Sequence, residues 1–188
     1  VRAFLGIAIP PEGRGALARL EEALGRSGAD VKWVAPAHLH VTLKFLDEIA
    51  EEQRHGVETM VGEVAGRFAP FTLRLDRVGA FPSLGAPRVI WVGLGGGTES
   101  VGRLAEAIER GGAAMGLRQE ARPFSAHVTI GRVRSPRRRE ALVQRLQETP
   151  WDAPPPWRVT SVTFYQSVLS PAGPTYTVLA EIPLGPRV

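Results

Sequence analysis

The first strong pattern is an apolar run. Residues 2–9 read as a buried strand. Pro10-Pro11-Glu12 then opens a helix, with proline near its first turn and an acid close behind. Leu17, Leu20 and Leu24 recur at helical spacing, and the stretch from Gly25 to Asp30 ends the helix. Val31 to Val34 is a short strand, broken by Pro36. From His40 to Phe45 the chain alternates, which predicts His40, Thr42 and Lys44 on one face and Val41, Leu43 and Phe45 on the other. Glu51 to Arg67 is an amphipathic helix whose apolar side carries Val57, Met60, Val61 and Val64. Strands are predicted at 71–78 and 88–94, joined by a loop that holds Phe81-Pro82-Ser83. Thr98 caps a helix running to about Met115. His127 to Ile130 is a short strand, and Pro136 to Glu148 a helix. Two last strands, 158–169 and 175–182, meet through Pro171-Ala172-Gly173-Pro174, a hairpin turn.

Strands outnumber helices and several are hairpin-linked, which points to α+β with antiparallel sheets rather than a doubly wound parallel sheet. No glycine fingerprint follows the first strand, and Gly95-Gly96-Gly97 lacks the Gly-Lys-Ser/Thr of a phosphate-binding loop. The length, 188 residues, suits one domain or two small lobes of about 90 residues each. The absence of cysteine excludes disulfides, thiolate chemistry and cysteine-based metal sites. The apolar run Phe4 to Ile9 is too short for a membrane span or a signal segment, so a cytoplasmic protein is expected.

The net charge is +4, and of 23 basic residues only Lys32 and Lys44 are lysine. Guanidinium forks match phosphate oxygens, although an arginine-rich codon bias gives the same excess. A local cluster, Arg132, Arg134, Arg137, Arg138 and Arg139, is more pointed.

The most informative feature is an echo. His40-Val41-Thr42-Leu43 recurs as His127-Val128-Thr129-Ile130, 87 residues later and near half the chain length. Residues i and i+2 of a strand share a face, so each motif presents an imidazole beside a hydroxyl. Two such units facing each other across a cleft suit phosphoryl chemistry: one histidine takes a proton, the other delivers one, and the hydroxyls donate to phosphate oxygens. Chance and β-propensity explain one such tripeptide; a pair sharing its middle residue, in a chain with four histidines, is much sharper.

These residues resemble the 2H phosphoesterases, and within them the RNA 2′,3′-cyclic phosphodiesterases also called 2′-5′ RNA ligases. The likeness runs from Arg2-Ala3-Phe4-Leu5-Gly6-Ile7 through Lys32-Trp33-Val34, Leu39 to Leu46, Gly79-Ala80-Phe81-Pro82-Ser83, residues 87–93 and Arg122 to Arg132, and ends between Ser167 and Tyr176. Ala126 stands where the family often has proline. The resemblance implies one bilobal domain over residues 1–188, with two pseudo-symmetric lobes, each an antiparallel sheet with helices outside, around a central cleft. It implies hydrolysis of 2′,3′-cyclic phosphate ends to 2′-phosphates, with reversible 2′-5′ ligation as a further activity. His40 is then the general acid and His127 the general base, while Thr42, Thr129 and Arg132 hold the phosphate. No cofactor or metal is called for. The residues alone leave the two histidine roles exchangeable.

Other readings compete. His38 and His40 form a His-x-His pair that a carboxylate such as Asp47 or Glu48 would have to complete as a metal site. Phe81 and Arg134 are candidate RNA contacts. Phe45, Trp91 and Phe124 read as core. The partners expected are RNA ends or small cyclic nucleotides, with no membrane. A cleft built within one chain makes a monomer sufficient. A binding module without turnover is the competing class, and it would not need two titratable histidines.

Overall fold

The computed structural model describes residues 1–186. Nine strands and four helices follow one another as β1 (Arg2–Ala8), α1 (Pro11–Gly25), β2 (Val31–Trp33), a 3-10 turn (Pro36–His38), β3 (His40–Glu48), α2 (Glu51–Ala65), β4 (Phe71–Ser83), β5 (Ala86–Gly96), α3 (Thr98–Ala114), β6 (His127–Val133), α4 (Arg139–Glu148), β7 (Trp157–Val159), β8 (Ser161–Ser170) and β9 (Gly173–Pro183). The strands form one curled antiparallel sheet in the order β7-β4-β5-β6-β3-β1-β8-β9, with β2 paired to β6.

That order is close to a palindrome. The first repeat is β1-α1-β3-α2-β4 and the second is β5-α3-β6-α4-β8. Each repeat donates its last strand to the other half, since β4 pairs β5 and β8 pairs β1. The helices follow the same pattern: α1 packs on α4 and β6, and α3 packs on α2 and β3. The class is α+β as the hairpin pattern predicts, but each half of the sheet is built from both halves of the sequence. The two halves meet where β3 lies beside β6, through a single rung, Val41 to Val128. Both valines are fully buried under the helices, among Leu5, Ile7, Ile90, Val92 and Ile130. Each such side chain contributes about 1.5–3 kcal/mol on burial.

The strict alternation expected from His40 to Phe45 fails at one residue. Leu5 pairs Lys44 and Gly6 pairs Thr42, so Leu43 is an extra residue, a β-bulge. Beyond it the faces exchange. Lys44 turns into the helix side, where Nζ donates to Glu109 Oε2 at 2.7 Å and to the Arg118 carbonyl at 2.8 Å. Phe45, expected in the core, instead stands 52% exposed on the open face, and Phe124 is also exposed. Phe81 is not in a loop: β4 runs through it, paired with Val89 of β5. Nor does Thr98 cap α3. That place is taken by Gly97, at φ 81°, where a Cβ would fall 2.3 Å from the Thr72 carbonyl oxygen. Among the described residues no helix is long and apolar enough to cross a membrane.

One helix residue is out of keeping with its surroundings. Glu21 is buried on α1, its Oε1 has no partner among the described residues, and burial pushes its carboxyl up to about 8. Below pH 4.5 the group is protonated in folded and unfolded chains alike. As pH rises toward 8 the unfolded chain ionises first, so stability is lost through that window. Glu21→Gln should therefore match the wild type near pH 4.5 and exceed it by about 1–3 kcal/mol at pH 8 in urea unfolding. A constant difference at the two pH values would show that Glu21 ionises freely in the fold.

Candidate active site

The seam between β3 and β6 brings the echoed motifs together. In an antiparallel ladder, residues flanking a paired rung face each other one step out. From Val41 opposite Val128, that register sets His40 across from Thr129 and Thr42 across from His127. The valines point to the helices, so all four of these side chains stand on the open, concave face. The two histidines lie on one diagonal of this group and the two threonines on the other.

Each imidazole is fixed in the same way. His40 Nδ1 lies 2.7 Å from the His38 carbonyl, and His127 Nδ1 lies 2.8 Å from the Ser125 carbonyl. A carbonyl only accepts, so each Nδ1 carries the proton and each Nε2 is left for chemistry. The neutral His40 Nε2 accepts from the Thr42 hydroxyl at 2.9 Å. Both carbonyls that accept from the rings belong to the residue two positions upstream, so strand entry itself sets the tautomer.

Burial holds both imidazoles below the ordinary histidine range. For His40, desolvation leads, the bond to the His38 carbonyl opposes it, and the charges of His38 and His127 lower it further. For His127, desolvation again leads, the Ser125 carbonyl opposes, and the Arg132 guanidinium adds to the lowering. Arg132 reaches this face through a second bulge. Ile90 pairs Gly131 and Trp91 pairs Thr129, which makes Ile130 the extra residue. Leu43 and Ile130 hold the same fourth position of their motifs, so Phe45 and Arg132 are pseudo-equivalent.

The surroundings of the two histidines differ. His40 is walled by Phe4 at 4.7 Å, Tyr176 at 5.5 Å and Tyr165 at 5.8 Å between ring centres. Gly6 leaves space there: a Cβ would fall 2.8 Å from the Val41 carbonyl oxygen and 3.5 Å from the His40 ring. His38 turns its ring onto Tyr176 at 4.8 Å. Hence the His-x-His pair is divided between a stacking contact and the seam. Among the described residues no three His, Asp or Glu side chains are grouped to hold a metal ion. His127 meets Phe81 edge-on at 5.3 Å and Trp91 at 6.3 Å.

Of the residues singled out from sequence, His40, Thr42, His127, Thr129 and Phe81 gather at this face. Arg132 joins them electrostatically. Arg134 does not: its Nε and terminal nitrogen are both 3.0 Å from Asp30 Oδ1, so its guanidinium is engaged outside the seam. Sequence reading missed Phe4, Tyr165, Tyr176 and Trp91 as site walls. A signal was present for Tyr165, which follows the fully buried Phe164 on β8 and so must face the other way.

The family relationships agree with this geometry. The family model for the 2′-5′ RNA ligase superfamily matches residues 9–169, a span that includes both motifs. Similar proteins include one from Aeropyrum pernix, 36% identical over 89% of this chain and 94% of its own, and one from Thermus thermophilus, 34% identical over 98% and 90%. Each of those two is named an RNA 2′,3′-cyclic phosphodiesterase. Among solved structures, a Thermus thermophilus protein superposes over the whole of both chains with a TM-score of 0.82 at 30% identity. Escherichia coli LigT in its apo form covers 98% of this chain and 97% of its own, with a TM-score of 0.78 at 27% identity. The palindromic sheet, the paired histidine motifs at its seam and this match together place the chain in the 2′-5′ RNA ligase superfamily, among the 2H phosphoesterases.

Proposed function

We propose that the protein is an RNA 2′,3′-cyclic phosphodiesterase that hydrolyses cyclic phosphate ends to 2′-phosphates by metal-independent acid–base catalysis between His40 and His127. The observation that carries this reading is the matched locking of the two imidazoles. Each Nδ1 is committed to a backbone carbonyl, each Nε2 is free of backbone, and a threonine hydroxyl accompanies each ring on one face. The relatives' names and the LigT-like fold support the same activity.

In this mechanism a water attacks phosphorus in line with the P–O3′ bond. His127 Nε2 takes its proton as the new P–O bond forms. His40, protonated in the complex, gives its proton to O3′ as P–O3′ breaks. The product carries a 2′-phosphate and a free 3′-hydroxyl. Thr42 and Thr129 donate to the non-bridging oxygens, where charge builds up. Arg132 suits the base assignment, because a cation near His127 keeps that ring neutral. The substrate's negative charge favours protonation of His40, offsetting the burial that lowers it in the free protein. Since one chain supplies both motifs, we propose that residues 1–188 work as one bilobal domain and that a cytoplasmic monomer is sufficient.

The direct experiment is to incubate the protein, in EDTA, with a short RNA ending in a 2′,3′-cyclic phosphate and to identify the product end. A 2′-phosphate is expected. His40→Ala and His127→Ala should each lower kcat by about 10²–10⁴ while leaving the chain folded. Loss of activity on chelation, restored by a divalent metal, would overturn the metal-independent mechanism. Wild-type turnover by either variant would remove that histidine from the reaction.

The lowered histidines also set the pH profile. The productive free form needs one imidazole protonated and one neutral, so kcat/KM should already be falling as pH rises past 6.5, the ordinary histidine value. The alkaline limb of kcat should lie at higher pH than that of kcat/KM, because the bound anion raises the acid's pKa. Arg132→Ala should move the acid limb upward, since it removes a cation that lowers His127. An unmoved acid limb would place the base elsewhere.

A further inference from the structure

The chain has two lysines, and the fold treats them in opposite ways. Lys44 is buried, its ammonium engaged by Glu109 and the Arg118 carbonyl. Lys32 is exposed, and among the described residues no carboxylate pairs with it. Register fixes which way it faces. Lys32 pairs with Arg132 across β2 and β6, and directly opposed residues share a face. Its neighbour Trp33 turns to the helix side, where a Cβ at Gly25 of α1 would fall 3.5 Å from the indole nitrogen. Lys32 therefore stands on the concave face with Arg132, one strand out from β6.

The far end of the β8–β9 hairpin comes over this face. Its Tyr176 meets His40 at 5.5 Å and His38 at 4.8 Å between ring centres. In the same hairpin Gly173 adopts φ 113°, and a Cβ there would fall 2.7 Å from Lys32 Nζ. The turn satisfies itself, since the Ser170 hydroxyl donates to the Gly173 carbonyl at 2.8 Å. The lysine is thus laid against the turn without being consumed by it. Burial pushes the Tyr176 phenol up, and the charges of Arg132 and Arg2 oppose that rise, so the ring that walls His40 already lies in a cationic field.

The proposed histidine roles give this cation a place along the substrate. O3′, with the ribose that bears it, leaves toward His40. That ribose joins the rest of the RNA through its 5′-oxygen, so the strand runs away from the reacting phosphorus on the His40 side. The reacting phosphate already has Thr42, Thr129 and Arg132. We propose that Lys32 binds the next phosphate, the phosphodiester immediately upstream of the cyclic end, and so makes the enzyme prefer RNA ends to cyclic mononucleotides; this rests on the phosphodiesterase reading and on the histidine roles given above. An ammonium on a flexible stem suits the contact, because it follows a backbone phosphate without reading the base.

The test compares three substrates on the purified protein: adenosine 2′,3′-cyclic phosphate, the dinucleotide ApA ending in a 2′,3′-cyclic phosphate, and that dinucleotide with its internal phosphodiester replaced by an uncharged methylphosphonate. Lys32→Met keeps the stem and drops the charge. It should lower kcat/KM for the phosphodiester dinucleotide about tenfold, mainly through KM, and for the other two by no more than about twofold. Lys32→Arg should restore most of the loss. In the wild type, kcat/KM for the phosphodiester dinucleotide should fall more steeply with salt than for the methylphosphonate, by about 0.7 in log–log slope, and Lys32→Met should erase that difference. Equal losses on all three substrates would overturn the proposal, because Lys32 would then act through Arg132 or the hairpin. Unchanged kinetics on all three would overturn it as well. Both of those outcomes leave the phosphodiesterase reading standing, whereas no turnover of any of the three by the wild type would overturn that reading and the proposal with it.

Discussion

Everything at the active face depends on how two strands meet over one rung. β3 and β6 share only the Val41–Val128 pairing, yet that contact fixes the register of two histidines and two threonines at once. A slip by one residue would turn every motif side chain under the helices. Two features resist it. Val41 and Val128 are fully buried, so the slipped register would expose them and bury imidazoles instead. The bulges at Leu43 and Ile130 then end the regular ladder at matching places on the two sides. Beyond them each strand is committed to another partner, β3 to β1 throughout its length and β6 to β2.

The bulges also explain why one duplicated motif gives two different environments. At the position after each bulge residue the repeats diverge, Lys44 on one side and Gly131 on the other. Lys44 is drawn inward and ties β3 to α3 through Glu109, whose carboxyl is held below its usual range by that lysine and by the Glu120 amide despite some desolvation. The same pair joins β3 to the segment after α3, because the Arg118 carbonyl shares the lysine. Gly131 can carry no side chain, since a Cβ there would fall 2.8 Å from Trp33 and 2.9 Å from Val31. β2 fills that space. An ion pair on a buried lysine and a packed tryptophan thus occupy corresponding places in the two halves.

Much of this was legible in the sequence, and the reasons for the misses are physical. Helix spacing, the last hairpin and the paired motifs all follow local rules, and they survive folding. The alternation rule broke at Leu43 because a bulge is set by the partner strand, and nothing in Leu43-Lys44-Phe45 itself announces one. Phe45 therefore read as core, and Lys44 as sharing the face of His40 and Thr42. Phe81 read as a loop because Gly79, Pro82 and Gly85 are turn formers, whereas here Gly79 is small to admit Trp91. Arg134 looked like part of a basic stripe, but its partner Asp30 is 104 residues away in sequence. The swap of β4 and β8 between repeats was hidden for the same reason: it is a property of pairing, and duplication alone predicts two separate sheets equally well.

Two identical His-x-Thr units would titrate together if their settings were the same, and acid–base catalysis needs them to differ. The residues around the motifs supply the difference. His40 is enclosed by Phe4, Tyr165 and Tyr176 and bound to Thr42, so its ring is desolvated and held. His127 lies against a small cavity, with the Arg132 guanidinium keeping protons away. The position that carries arginine beside His127 carries phenylalanine beside His40, which removes that particular cation from one side of the pseudo-dyad. Symmetry of the backbone places the pair, and asymmetry of the neighbours supports the roles proposed for it: the charge of a bound phosphate would favour protonation of the enclosed ring, and the open ring would stay neutral until a nucleophile arrives.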